Sequence, residues 1–354
     1  MREPLSNLVS AALPARLDEP AREALRQIAA QGESQNTVAS YRSALRYWHR
    51  WHELRFGHPM SAPVASAAVI QFILDHAARE GRDGLVWELP GDADAQLVRD
   101  GAKAAPGAFS YATIAHRISV LSKFHAAGGH APNPCADPAV RELLRKTRRI
   151  YAKRGDRGRG KPALTRDLME RILATCDDSL AGRRDRALLL FAWASGGRRR
   201  SEVTAATLGN VTRNEDGTYT YRMGASKANQ AGDARPQDVK PIAGRAAQAL
   251  ADWLSVARIR DGAVFRAIRK GTTPAEPLTP AAVRVIVQAR CAAAGLPAGF
   301  SAHSLRSGFL TEAGRQNIPL GDAIALSGHA SVAVAMRYYR AGSVFTEKAA
   351  RLMG

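Results

Sequence analysis

Between residues 151 and 162 the chain reads YAKRGDRGRGKP, and this stretch constrains the fold more than any other. It has little to bury and three glycines to loosen it, so it cannot join a core and instead connects two. At roughly 100–200 residues per domain, 354 residues make two domains. The connector belongs to a longer charge run, because Arg141 to Lys161 holds ten basic residues and two acids. The whole chain carries 51 Lys and Arg against 32 Asp and Glu, a formal net charge of +19. Hydrophobic residues form 45% of it, an ordinary globular share, so the excess belongs to a folded protein and calls for a polyanionic partner.

No stretch approaches the ~20 apolar residues of a membrane span, and the N-terminus lacks the apolar run of a signal peptide. The expected location is therefore cytoplasmic, with no membrane partner. Cys135, Cys176 and Cys291 are odd in number and far apart, without a Cys-x-x-Cys or Cys-His pair. That spacing argues against a disulfide framework and against a zinc site, and no cofactor is expected.

Residues 1–33 read as a flexible N-terminal arm, proline-punctuated over its first twenty. From Ser34 the period becomes helical: Thr37, Tyr41, Leu45, Trp48 and Trp51 form an apolar face, with Arg42, Arg46 and Arg50 interleaved. Further helices are expected over residues 65–80, 111–127 and 137–150, and a long loop over 81–107. In the second half, residues 184–194 form an apolar helix, and Tyr219 to Met223 alternates as a strand of a small hairpin or three-stranded sheet. The fold expected is mainly α, with a helical first domain and an α+β second domain carrying a small antiparallel sheet.

Four segments of the second half carry chemistry. Gly196-Gly197-Arg198-Arg199-Arg200-Ser201-Glu202 opens a helix with guanidinium groups suited to phosphate. Lys227 lies at the hairpin tip, with Lys240 nearby, where a lysine could protonate a leaving oxygen. His303 and Arg306 share a helix face at i, i+3. His329 follows, and Tyr338-Tyr339 lies nine residues beyond it. Each segment alone is common; in this order they supply a nucleophile, proton carriers and fixed positive charge for phosphoryl transfer.

With these motifs the chain resembles the tyrosine recombinase (phage integrase) family, DNA strand-exchange enzymes that include Cre, the Xer recombinases and the lambda-type integrases. The resemblance covers roughly residues 34–354 and is closest to Cre in lacking a sizeable arm-binding domain before Ser34. In the family the catalytic Arg stands three residues before an acid, which selects Arg199 with Glu202. The remaining catalytic positions carry over to Lys227, His303, Arg306, His329 and, nine residues on, Tyr338, with Tyr339 its chemically equal neighbour.

The resemblance implies a two-domain DNA clamp. Residues 34–150 would be a helical core-binding (SAM-like) domain, 151–162 the basic linker and 163–341 the catalytic domain. Residues 342–354, with Phe345, Ala349 and Leu352 at helical spacing, would be a C-terminal helix docking on a neighbouring protomer. Expected DNA contacts are Arg42, Arg46, Arg117, Lys123, His125, Arg148, Arg149, Lys153, Arg154, Arg157 and Arg159. The implied activity is site-specific recombination through a 3′-phosphotyrosine and a Holliday junction, without metal or ATP. The implied assembly is a homotetramer on two double-stranded DNA sites with inverted repeats, monomeric when free and nucleoid-associated when bound. A type IB topoisomerase, or a catalytically silent architectural DNA-binding protein, are the competing readings.

Overall fold

The computed structural model describes residues 18–32, 34–156, 162–224, 238–269, 274 and 276–343. The chain divides into two compact units, Met1–Arg159 and Gly160–Gly354, so the division falls inside the basic connector.

Among the described residues the first unit begins with α1 (Glu19–Gly32), in a region expected to be a flexible arm. Pro20 stands in its first turn, where a missing N–H costs nothing, and Asp18 Oδ1 accepts the Ala21 amide at 2.9 Å. α2 (Gln35–Phe56) starts at Ser34, whose side chain accepts from Thr37 N, and stops at Gly57 in the left-handed region. Its inward face packs Trp48 flat on Phe72 of α3 (Ser66–His76), with ring centroids 3.9 Å apart. The helix expected over 65–80 is thus shorter. The expected loop over 81–107 is partly ordered into strands β1 (Arg79–Gly81) and β2 (Gly84–Val86) and helix α4 (Gly91–Arg99). α5 (Tyr111–Ala127) is capped by Ser110, and α6 (Pro138–Lys153) by Asp137 with proline at its first position. A core of Trp48, Trp51, Val69, Phe72, Ile73, Leu97, Ile114 and Leu121 joins these helices.

Two expected DNA contacts turn inward here. His125 is fully buried: its Nε2 accepts the Val64 amide at 2.9 Å, which puts the ring proton on Nδ1, 2.9 Å from Leu121 O. Arg117 lays its guanidinium over the Tyr47 ring at 3.7 Å, and its Nε and Nη1 are buried without a hydrogen-bond partner among the described residues. Arg154 is half-buried and donates to Ala78 O at 2.7 Å and to Asp156, so it ties the end of α6 to the strand region. Arg42, Arg46, Lys123, Arg148, Arg149 and Lys153 are exposed. Arg157 and Arg159 lie outside the described residues.

The second unit is built on α8 (Leu180–Ala194), whose Ala187, Leu188, Leu189, Phe191 and Ala192 are all fully buried. Around it pack α7 (Arg166–Ala174), α10 (Gly244–Val256) and α11 (Pro280–Ala293). An antiparallel sheet runs in the order β3 (Val211–Arg213), β4 (Tyr219–Arg222), β5 (Val239–Ile242). Tyr219 pairs with Ile242 and Tyr221 with Lys240, which puts Lys240 on the inward face beside Ile242. The short α9 (Arg200–Thr204) follows α8. Among the described residues the unit ends with α12 (Ala302–Arg315), α13 (Leu320–Ser327) and α14 (Val332–Ser343). Of the expected C-terminal helix over 342–354, Gly342 and Ser343 belong to α14 and the rest lies outside the described residues.

Glycines set the closest packing in this unit. A Cβ on Gly342 of α14 would stand 1.9 Å from Thr311 O, and one on Gly314 of α12 would stand 2.1 Å from Tyr339 O. The two helix backbones therefore touch.

Candidate active site

The three consecutive arginines separate by direction. Arg198 is buried, Arg199 half-buried and Arg200 exposed. Gly196 and Gly197, at φ 96° and 69°, make the turn that permits this. A Cβ at Gly197 would come 2.3 Å from the Arg306 Cα, so the turn rests directly on α12. Arg199 keeps part of its guanidinium open while Nη1 pairs with Glu202 Oε1 at 2.6 Å. Glu202 Oε2 accepts the Arg199 amide at 3.0 Å and lies 3.5 Å from Arg198 Nη1. Burial alone would raise the Glu202 carboxyl, but Arg198 and then the Arg199 amide and guanidinium reverse that and hold it low, hence ionised.

Arg306 projects from α12 beneath this turn and is 3% exposed. Its Nη1 donates to Gly197 O at 3.2 Å and its Nη2 to Gly328 O at 3.1 Å, fixing the plane of the guanidinium. Burial, then the charges of Arg199 and Arg198, lower it to about 9, so it remains a cation at neutral pH.

One turn earlier on the same helix, His303 Nε2 lies 3.3 Å from Tyr338 Oη. Partial burial and the charges of Arg306 and Arg199 hold this imidazole below its ordinary value, in the form that accepts a proton. Tyr338 is held in turn by its backbone, whose carbonyl accepts from Thr311 Oγ1 at 3.2 Å. Tyr339 points elsewhere, donating its hydroxyl to Ile318 O at 2.7 Å. Of the two tyrosines, only Tyr338 faces the histidine.

His329 follows Gly328, the left-handed cap of α13, and its Nδ1 is 2.8 Å from Ser327 Oγ. The serine hydroxyl has a weaker contact with Ile324 O at 3.4 Å, so its proton is better placed on His329 Nδ1. That leaves the imidazole proton on Nε2, free to be donated. Burial, then Arg306, Arg199 and Arg198, push His329 down to about 3.

Arg199, Glu202, His303, Arg306, His329 and Tyr338 are thus linked through one network of α9, α12, α13 and α14. Lys227 lies outside the described residues, between β4 and β5. Two further cations were passed over in the sequence, Arg198 in favour of Arg199 and Lys240 in favour of Lys227. Arg198 donates from Nη2 to Leu326 O and Ser327 O, at 2.8 and 2.7 Å. Lys240, fully buried, donates to Ala325 O at 2.8 Å. The signal for Lys240 was available in the strand period, since Val239 alternates outward and lysine inward, the reverse of an ordinary half-buried strand. Among the described residues there is no group of three or more His, Cys, Asp and Glu able to hold a metal ion, and no helix is long and apolar enough to cross a membrane.

Residues 162–343 match the phage integrase family. The chain is 32% identical over 253 residues to an integrase/recombinase XerD homolog of Selenomonas ruminantium, covering 68% of this chain and 72% of that protein. Its fold is similar to a lambda integrase dimer bound to a COC′ core site, with TM-score 0.54 and 17% identity over 89% of this chain and 75% of that one. It is equally similar to the Tn1549 transposon integrase in complex with transposon right-end DNA, with TM-score 0.54 and 16% identity over 92% and 97% of the two chains.

Proposed function

The chain belongs to the phage integrase family of tyrosine recombinases, site-specific DNA recombination enzymes, and from that premise we propose that Tyr338 is the nucleophile that cuts and rejoins DNA strands. The reading rests on one observation above others: the Tyr338 hydroxyl meets His303 Nε2 at 3.3 Å, on the helix that also carries Arg306.

In the first step Tyr338 Oη forms a bond to the scissile phosphorus and the bond from phosphorus to the 5′-oxygen breaks. The phenolic proton passes to His303, and the 5′-oxygen takes a proton from Lys227. One phosphate ester replaces another, so the strand is resealed by attack of a 5′-hydroxyl on the 3′-phosphotyrosine without ATP. Arg199 and Arg306 hold the negative charge that builds on the non-bridging oxygens, and His329 donates from Nε2 to the same group. These side chains supply the fixed charge that a divalent ion supplies in other phosphoryl transfers, so the reaction proceeds without metal. Glu202 orients Arg199.

Exchange of strands between two duplexes through a Holliday junction needs four such sites, which makes the working assembly a homotetramer on two inverted-repeat DNA sites. The C-terminal residues Phe345, Ala349 and Leu352 of one copy suit the apolar groove of another, lined by Leu173, Leu190, Trp193, Phe309, Ala313 and Ile318. The exposed Arg42, Arg46, Lys123, Arg148, Arg149 and Lys153 would contact the phosphate backbone, with Arg157 and Arg159 of the connector.

The test is incubation with nicked suicide duplexes from the DNA flanking its gene, in EDTA, with denaturing gels. Wild type is expected to form a covalent adduct and Tyr338→Phe none. Binding without an adduct by wild type would make the protein an architectural binder. Relaxation of supercoiled plasmid without strand joining would make it a topoisomerase, and an adduct surviving in Tyr338→Phe would overturn the assignment of the nucleophile.

A further inference from the structure

The last turn of α13 leaves its carbonyl groups without helical partners, as every helix end does. Here four in succession are taken by cations. Ala325 O accepts from Lys240, Leu326 O and Ser327 O accept from Arg198, and Gly328 O accepts from Arg306. Only Arg306 has a part in the chemistry proposed above. Arg198 and Lys240 come from the turn before α9 and from β5, and both are almost wholly buried.

Both are costly in that position. Arg198 Nε is buried without a partner among the described residues, and its Nη1 rests on the Met223 sulfur at 2.9 Å and 3.5 Å from Glu202. Burial lowers Lys240 to about 8, although it stays charged at neutral pH. A hydrophobic side chain of similar length would fill either space more cheaply. What the cations do that such a side chain cannot is grip the negative end of a helix dipole. The guanidinium does so with one nitrogen lying between two carbonyl oxygens. The gripped end is also in backbone contact with the arginine turn, since a Cβ on Gly196 would lie 2.4 Å from Leu326 O. His329 is the second residue after α13, and Ser327, whose hydroxyl orients it, is the last residue of that helix.

Resting on the recombinase reading, we propose that Arg198 and Lys240 are positioning residues which clamp the carbonyl end of α13 to the Gly196–Arg199 turn and thereby hold His329 in register with Arg199 and Arg306. Neither touches the DNA. Their effect passes through His329, and this separates the clamp from a purely structural role.

The experiment is a double-mutant cycle on the full chain, with single-turnover cleavage of the suicide duplex and DNA affinity measured side by side. Arg198→Met and Lys240→Met are each expected to slow cleavage about tenfold or more, the scale of a small misplacement of a reacting group, with the Kd for DNA changed by less than about twofold. In a His329→Ala background the same substitutions are expected to lose most of that effect, because the group they position is gone. Arg198→Lys, which keeps the charge but not the fork, is expected to fall between wild type and Arg198→Met. Thermal unfolding establishes which variants fold, and the two cations test the clamp independently of one another. Full losses persisting in the His329→Ala background, unaltered cleavage in the folded variants, or a parallel loss of DNA affinity would overturn the proposal while leaving the recombinase reading intact. A wild type that forms no adduct overturns that reading and the clamp with it.

Discussion

Replacing Gly342 with alanine adds one methyl group, and its effect follows from where that methyl must go. On a helix without neighbours the change would stabilise the protein by roughly 0.5–1 kcal/mol, because alanine loses less freedom on folding. Here the new carbon stands 1.9 Å from Thr311 O, about 1.5 Å inside the 3.4 Å at which ordinary contact begins. The obstacle is backbone of α12 and cannot rotate away, so α14 must retreat by about that distance. Tyr338 lies one turn before Gly342 on the same helix, and its 3.3 Å approach to His303 would open beyond hydrogen-bonding range. Overpacking of this kind costs about 1–3 kcal/mol of stability. Misplacing the nucleophile by about 1 Å slows cleavage on the order of a hundredfold. DNA affinity, which does not depend on α14 in this reading, should stay unchanged. The assay is single-turnover cleavage of a suicide duplex with chemical denaturation of the same preparations. A stabilised Gly342→Ala protein that cleaves at the wild-type rate would refute the argument that backbone contact between α12 and α14 sets the position of Tyr338.

Three further outcomes are expected. Glu202→Gln removes the carboxylate between Arg198 and Arg199 and should cost about 3–5 kcal/mol in urea unfolding, as breaking a buried pair does. Because the folded-state value of Glu202 is depressed, its contribution is present above the unfolded carboxylate value and is lost as pH falls through the folded value, so the variant should lose less stability than wild type in acid. The second-order rate of cleavage, which reports the DNA-free protein, should hold a plateau through neutrality and decline only below the ordinary imidazole value, since burial and the charges of Arg306 and Arg199 hold His303 below it; a decline centred above that value would exclude His303 as the acceptor of the tyrosine proton. His76 and His125 are buried as neutral rings in the first unit, His76 at about 3, so their stabilisation is complete above the ordinary imidazole value and is lost as pH falls. Each group contributes up to about 1.4 kcal/mol per pH unit, and a urea midpoint unchanged between pH 7 and 5 would contradict their burial.

The parts of the fold legible in sequence were those where local and tertiary preferences agree. Helix α5 has the expected bounds, 111–127, because a capping serine precedes an apolar stripe at regular spacing. Helix α1 was missed because Pro20 reads as a breaker when its position in the helix is unknown, whereas in the first turn it is favourable. The strands and helix within 81–107 were hidden by glycine and aspartate that serve turns and caps as readily as loops. In the candidate site, the spacing of His303 and Arg306 places both on one helix, and the family resemblance, counting three residues back from Glu202, selects Arg199 among its neighbours. Which way a basic side chain points was not legible. His125 and Arg117 share a helix with exposed lysine, and only the partner elements, Val64 in one case and Tyr47 in the other, draw them inside.

The same blindness to direction explains why the second unit's most unusual feature, its charge balance, had to come from the structure. Arg198 and Arg199 pair with the Glu202 carboxylate, Arg306 and Lys240 donate to backbone carbonyls, and three of the four cations are buried. Carboxylates could have neutralised them, but each would also have quenched the field that an incoming phosphate requires. Carbonyl groups at a helix end satisfy N–H donors while contributing only a fraction of a charge. The positive potential therefore survives in the pocket, and it is visible in the imidazoles, since guanidinium charges reinforce burial in keeping His303 and His329 neutral. A phosphodiester entering the site would bring the charge that the protein withholds. It would relieve the repulsion among the arginines and raise the proton affinity of both histidines at the moment one of them has a proton to accept.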